Sequence, residues 1–228
     1  MKVLVVNADD YGYSKGVNKG IIKAHTQGIV TSTSVMVYGM AAKQARELLE
    51  YPLSVGLHFD IFDKRLRSKL IKREILSSLT IENIKKEFKN QINEFAKILG
   101  KPPDHLDSHH HIHFHSQIKP IFEEYSKENN IPVRGLGKFH LIESFFGKNE
   151  SGETDLERIS TNSLLDILSN LADGVNELMC HPGFADLELR KISTYSVERE
   201  EEIKTLIDRR IIEYIKNHKI KLQGWDNV

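Results

Sequence analysis

Six of the eleven histidines fall between His105 and His115, and two carboxylates stand side by side at Asp9-Asp10. Imidazoles and carboxylates bind divalent cations and move protons near neutral pH, so this uneven placement is where chemistry would be sought. Asp9-Asp10 follows the apolar run Val3–Val6. Adjacent carboxylates repel, and a cation or a shared proton relieves the cost. An Asp after a strand also caps a turn, here Tyr11-Gly12. Successive strand residues point to opposite sides, so the two neighbours can hold different tasks, one on a metal and one on a water.

His58 closes the run Val55-Gly56-Leu57, and taken alone it reads as a satisfied polar contact. The histidines from His109 to His115 lie mid-chain after an apolar strand entry. Their His-x-x-x-His spacing (His109, His113) fits two imidazoles on one side of a turn or short helix. His110 and His115 then point elsewhere. His181 precedes Pro182-Gly183, where proline fixes the backbone and glycine permits a close approach. Cys180 sits in an apolar strand and reads as packing rather than nucleophile. Oxygen and imidazole donors without thiolate suit a catalytic divalent metal with open positions and point to metal-assisted hydrolysis.

These residues need elements that bring them together. Four apolar runs end alike: Val3–Val6 into Asn7–Asp10, Val55–Leu57 into His58 and Asp60, His105-Leu106 into Asp107–His111, and Leu178–Cys180 into His181. The carboxyl ends of parallel strands share one face of an α/β fold, which would let Asp10, His58, His109 and His181 converge. Strands are expected at Val3–Val6, Ser34–Val37, Ser54–Phe59, His105–His109, from Val133, at Glu177–Cys180 and around Lys221–Gln223. Helices are expected over Lys15–Gln27, Ala41–Glu50, Thr80–Leu99, Ile118–Asn129, Ser163–Leu171 and, as one or two, Val197–Asn217. Phe146–Thr154 reads as a surface loop. The alternation means α/β, either a seven-stranded barrel or an open doubly wound sheet.

The 228 residues suit one domain, 1–228, and 39% hydrophobic against 28% charged residues allow a real core. Lys+Arg and Asp+Glu are both 32, which argues against a nucleic-acid or anionic-membrane partner recruited by bulk charge. One cysteine excludes an internal disulfide framework. The amino terminus is too briefly apolar for a signal peptide, and no run approaches a membrane span, so the expected location is the cytoplasm.

Asn7–Gly12, Thr31-Ser32-Thr33-Ser34, Gly56-Leu57-His58, His105–His111 and Cys180–Gly183 together resemble the YdjC-type carbohydrate deacetylases, in that family's order and over most of the chain. The resemblance implies a single-domain, distorted, seven-stranded (β/α) TIM-like barrel that removes N-acetyl groups from acetylated sugars such as chito-oligosaccharides. It implies a homodimer and one divalent ion, commonly Mg²⁺, on Asp10, His58 and His109. Two imidazoles would equally suit Zn²⁺ or another transition metal. Asp9 would be the general base and His181 the general acid. Arg134 is a candidate to orient Asp9 or touch substrate, with a surface arginine as the plainer reading. Tyr11, Phe59, Phe184 and Trp225 could stack on a sugar ring or simply pack. Between His58 and Thr80 the chain is short and basic (Lys64, Arg65, Arg67, Lys69, Lys72, Arg73), a departure from the family that bears on substrate preference. Two other readings stand beside this one. An amidohydrolase or phosphoesterase could use Asp60 and Asp107 for a second ion, and a metal-storage module would need neither Asp9 nor His181.

Overall fold

The computed structural model describes residues 1–61 and 80–225, so the basic segment lies outside the described residues. Among the described residues, seven parallel strands form one sheet: β1 (Lys2–Tyr11), β2 (Ser32–Val35), β3 (Ser54–Phe59), β4 (Leu106–Ser108), β5 (His140–Ile142), β6 (Gly174–Cys180) and β7 (Lys221–Leu222). The order is β4-β3-β2-β1-β6-β5, with β7 on the amino half of β1 beside Val3 and Leu4. The sheet curls into a half-barrel whose outer strands β4 and β5 do not pair, the distorted barrel expected from the sequence. β1 and β3 are buried almost throughout, as strands covered on both faces must be.

The helices are α1 (Lys15–Gln27), α2 (Ile81–Leu99), α3 (Lys119–Asn129), α4 (Thr161–Ser169), α5 (Leu187–Ile192), α6 (Val197–Leu206) and α7 (Arg209–Asn217). Their ends follow local chemistry. Ser14 accepts from the Val17 amide at the start of α1, and Thr80 from the Asn83 amide at the start of α2. Gly100 ends α2 at φ 72°, a left-handed turn that glycine adopts without strain. On α2, Ile84, Phe88, Phe95 and Leu99 face the core. Phe88 meets Phe59 and Phe122 with ring centroids 5.6 and 4.9 Å away.

Three expectations need correcting. Ala42–Glu50 is a 3-10 helix rather than an α-helix. The strand expected from Val133 is reduced to isolated bridges, parallel with Leu106 and antiparallel with Leu136, because Gly135 and Gly137 take positive φ and turn the chain. His140–Ile142, not among the expected strands, lies beside β6. The segment Phe146–Thr154 is not wholly surface: Gly147 is buried, and the half-buried Phe146 stacks on Tyr195 at 4.7 Å. Helix α5 was not foreseen, although its cap is readable: Asp186 accepts from the Leu189 amide. Among the described residues no helix is long and apolar enough to cross a membrane.

Candidate metal centre

The carboxyl ends of β1, β3, β4 and β6 do converge. On β1, the register with β2 shifts between Ala8 and Tyr11, and Asp10 takes φ 71°. Strand alternation alone would send Asp9 and Asp10 to opposite faces. The bulge and the left-handed residue re-aim Asp10, and both carboxylates lie at the same barrel end. Asp10 Oδ1 is 3.2 Å from His58 Nε2 and 3.3 Å from His109 Nδ1. These three donor atoms all lie within 4.8 Å of one another. Asp10 and His58 are buried, whereas the His109 side chain is 20% exposed and marks the accessible side.

Two of these atoms, Asp10 Oδ1 and His58 Nε2, are buried without a hydrogen-bond partner. Buried polar atoms are normally satisfied, so orphans aimed at a common point mark a place for a cation. Two imidazoles and one carboxylate leave open positions on a divalent ion. The supporting shell agrees. His58 Nδ1 is 2.7 Å from Asp107 Oδ1, which fixes the ring and directs Nε2 towards the cluster. Asp107 Oδ2 accepts from Ser34 Oγ at 2.8 Å and Asn7 Nδ2 at 3.2 Å. Burial opposes a charge on His58, but the carboxylates of Asp107 and Asp10 outweigh it and hold the pKa well above the ordinary imidazole value. An arriving cation would replace that proton.

A second set of close donors, Asp9, His58 and Asp107, is already occupied by charge. Arg134, 1% exposed, grips Asp9 with two bonds of 2.6 Å, meets Asp107 Oδ2 at 2.9 Å and donates from Nε to Glu177 at 2.7 Å. It is therefore no surface arginine. Burial alone would raise Asp9, yet Arg134 prevails and lowers it, keeping the carboxylate ionised. Glu177 is pushed up to about 7 by burial, so near neutrality it is partly protonated and eases the excess of negative charge. Asp107, the carboxylate considered for a second ion, is committed to Arg134 and His58, and the Asp60 backbone to Gln91.

His181 stands beside this pair, with Nε2 3.9 Å from Asp9 Oδ2. Its backbone N–H donates to Glu202 Oε2 at 2.5 Å, and its Nδ1, unpartnered, faces Glu202 Oε1 at 4.0 Å. Glu202 also accepts from the Tyr195 hydroxyl. Burial lowers His181 to about 4 and raises Glu202 to about 8. Gly20 lets α1 pack on the chain after His181-Pro182: a Cβ on it would lie 2.4 Å from the Gly183 Cα.

Other expectations fare differently. His113 parts from His109: its Nδ1 meets Ser108 Oγ at 2.5 Å and its Nε2 the Arg134 carbonyl at 3.1 Å. Left-handed His110 and His111 break the helical face that would have aligned the two rings. Tyr11 and Phe59 are fully buried, Tyr11 bonding the Glu47 carboxylate and Phe59 within the Phe88–Phe122 cluster, and neither offers a sugar an open face. Trp225 is buried against His105 and Phe139. Phe184 is 38% exposed, beneath Lys23. Sequence reading missed Asn7, Ser34, Glu177, Arg199 and Glu202. Asn7 carried a signal, sharing a strand face with Asp9; Arg199 and Glu202 sit in a charged run that reads as a solvated helix face.

A model of the YdjC-like protein family matches residues 3–217. A carbohydrate deacetylase from Clostridium beijerinckii is 32% identical over 99% of both chains. A chitooligosaccharide deacetylase from Yersinia enterocolitica is 31% identical, again over 99% of both. A crystal structure from Enterococcus faecalis V583, of a protein provisionally named for cellobiose-phosphate cleavage, superposes with a TM-score of 0.83 at 25% identity, covering 99% of this chain and 98% of that one.

Proposed function

The chain belongs to the YdjC-like family and is a carbohydrate deacetylase by homology, and from this premise we propose that it hydrolyses N-acetyl groups on amino sugars or short oligosaccharides with a metal ion at Asp10, His58 and His109. The observation that carries the proposal is the pair of orphaned buried atoms, Asp10 Oδ1 and His58 Nε2, facing His109 Nδ1 next to a separately clamped carboxylate. A bound ion would supply Lewis acidity to the acetyl carbonyl and acidify a water. The two imidazoles favour Zn²⁺ or another transition ion over Mg²⁺.

Asp9, held ionised and oriented by both nitrogens of Arg134, takes the proton of the attacking water. That water's oxygen joins the carbonyl carbon. Because burial keeps His181 neutral at neutral pH, it first receives a proton at Nε2, from Asp9 Oδ2 3.9 Å away. It then delivers that proton to the departing nitrogen as the C–N bond breaks, leaving the sugar amine and acetic acid, whose remaining proton passes to solvent to give acetate. Arg134 acts through Asp9 rather than on substrate. A cytoplasmic location and pairing of two chains complete the reading, the latter checked by sedimentation.

The test is acetate release from N-acetylglucosamine, its 6-phosphate and short chito-oligomers, after chelation and with each divalent ion restored. Release from at least one, lost on chelation and regained with metal, is expected. Release from none, with hydrolysis of a phosphoester or glycosidic bond instead, overturns the proposal.

A further inference from the structure

Asp10 offers the metal cluster one oxygen; the other belongs to an arginine. Arg199 Nη2 donates to Asp10 Oδ2 at 2.6 Å. Its Nε donates to the Tyr195 carbonyl at 3.1 Å and its Nη1 to the His181 carbonyl at 3.4 Å. The guanidinium carbon lies 5.9 Å from the Tyr13 ring centroid and 5.6 Å from that of Tyr195, and the side chain is 3% exposed. The fork is thus fixed by two main-chain carbonyls and two aromatic rings. Its helix is fixed as well, since Glu202, one turn along α6, binds the His181 backbone. A buried arginine in direct contact with a metal-ligating carboxylate is costly if its only work is structural. It repels a divalent cation and would lower the affinity of the site.

Two consequences follow for Asp10. A carboxylate free on both sides can rotate and grip a cation through both oxygens. With Oδ2 bound to a fixed guanidinium, only Oδ1 is available. A positive charge on the far oxygen also draws electron density away from the near one, weakening its donation. We propose that Arg199 is a positioning residue that makes Asp10 a one-oxygen ligand and leaves the bound ion electron-poor. The inference rests on the metal reading of Asp10, His58 and His109.

The experiment uses the full chain stripped of metal and titrated with Co²⁺, reading stoichiometry, affinity and the visible ligand-field spectrum, with turnover measured alongside. Variants are Arg199→Gln, Arg199→Lys and His58→Ala. The wild type is expected to bind one Co²⁺ and His58→Ala to lose it. Arg199→Gln should bind one Co²⁺ at least as tightly as wild type, with an altered spectrum as the second oxygen joins. Its kcat at saturating metal should fall ~10-fold or more, the scale of lost outer-shell contacts. Arg199→Lys, which restores the charge without the fork, should lie between the two in spectrum and kcat.

A wild-type spectrum and kcat in Arg199→Gln at saturating metal would overturn the inference alone, even if binding had weakened. If Arg199→Gln does not fold, Arg199→Lys decides: a spectrum and kcat identical to wild type would refute the positioning role. Failure of the wild type to bind Co²⁺, or undiminished binding by His58→Ala, would remove the metal reading and this inference with it.

Discussion

Asp9 and Asp10 are consecutive residues of one strand, yet they end in two different electrostatic surroundings. Asp9 has both oxygens on Arg134, in a sealed region where one guanidinium also serves Asp107 and Glu177. Asp10 has one oxygen on Arg199, and the other faces His58 Nε2 and His109 Nδ1 at 3.2 and 3.3 Å without a well-formed hydrogen bond. A carboxylate paired through both oxygens with one buried guanidinium is held ionised and in place, whereas one that gives a single oxygen to an arginine keeps the other directed at two imidazoles. On the proposed reading, buried arginines, more than the carboxylates themselves, separate the acid that would ligate from the one that would take a proton.

The contrast can be broken most directly at the ion. His58→Ala removes a proposed ligand, and metal affinity should fall by more than the ~10–100-fold typical of a lost supporting contact, read by calorimetry on the stripped chain. On the sealed side, Arg134→Met leaves Asp9 and Asp107 buried without their cation and should destabilise the fold by about 3–5 kcal/mol, measured by denaturant unfolding. Stability unchanged by that substitution would show that the cluster is not held as described. Asp9→Asn should bind metal as the wild type does and lose at least ~10²-fold in turnover. A matching loss of metal would place Asp9 among the ligands.

Asp107→Asn probes the border between the regions. Metal affinity should drop ~10–100-fold with stoichiometry unchanged.

The mildest expected effect concerns protons. His58 is raised by Asp107 and Asp10, so in the metal-free chain it is protonated through neutral pH. Binding a cation must expel that proton, and affinity should weaken as pH falls below the raised value. Above it the dependence should vanish. Calorimetry in buffers of different ionisation enthalpy should find about one proton released per ion at neutral pH. No release would mean that His58 is already neutral.

Much of this was legible in the residues. The continuous β-branched run of β1, the Ser14 and Thr80 caps and the core stripe of α2 are local signals, and local signals survive into the fold because each is satisfied within a few residues. The return of polar residues at four strand ends also announced the site, since parallel strands place their carboxyl ends together. Less visible were the partners drawn from elsewhere. Arg134 looked like a surface residue because one arginine after a valine carries no sign of three carboxylates converging on it. In the run Val197–Leu206, Glu198, Arg199 and Glu202 are buried, although a charged helix in isolation reads as solvated.

The parallel α/β fold, the family and the convergence of Asp9, Asp10, His58, His109 and His181 were readable from short segments, because strand direction and strand-end chemistry are local properties. That His113 is a structural contact, that Tyr11 and Phe59 are core, and that an arginine takes one oxygen of Asp10 but both of Asp9 emerge once distant segments meet. Those outcomes depend on a bulge of one residue and on which distant cation fills the space beside each carboxylate. Charge pairing in a buried site acts through space, over separations of 125 residues for Arg134 and Asp9 and 189 for Arg199 and Asp10, and no short-range pattern encodes it.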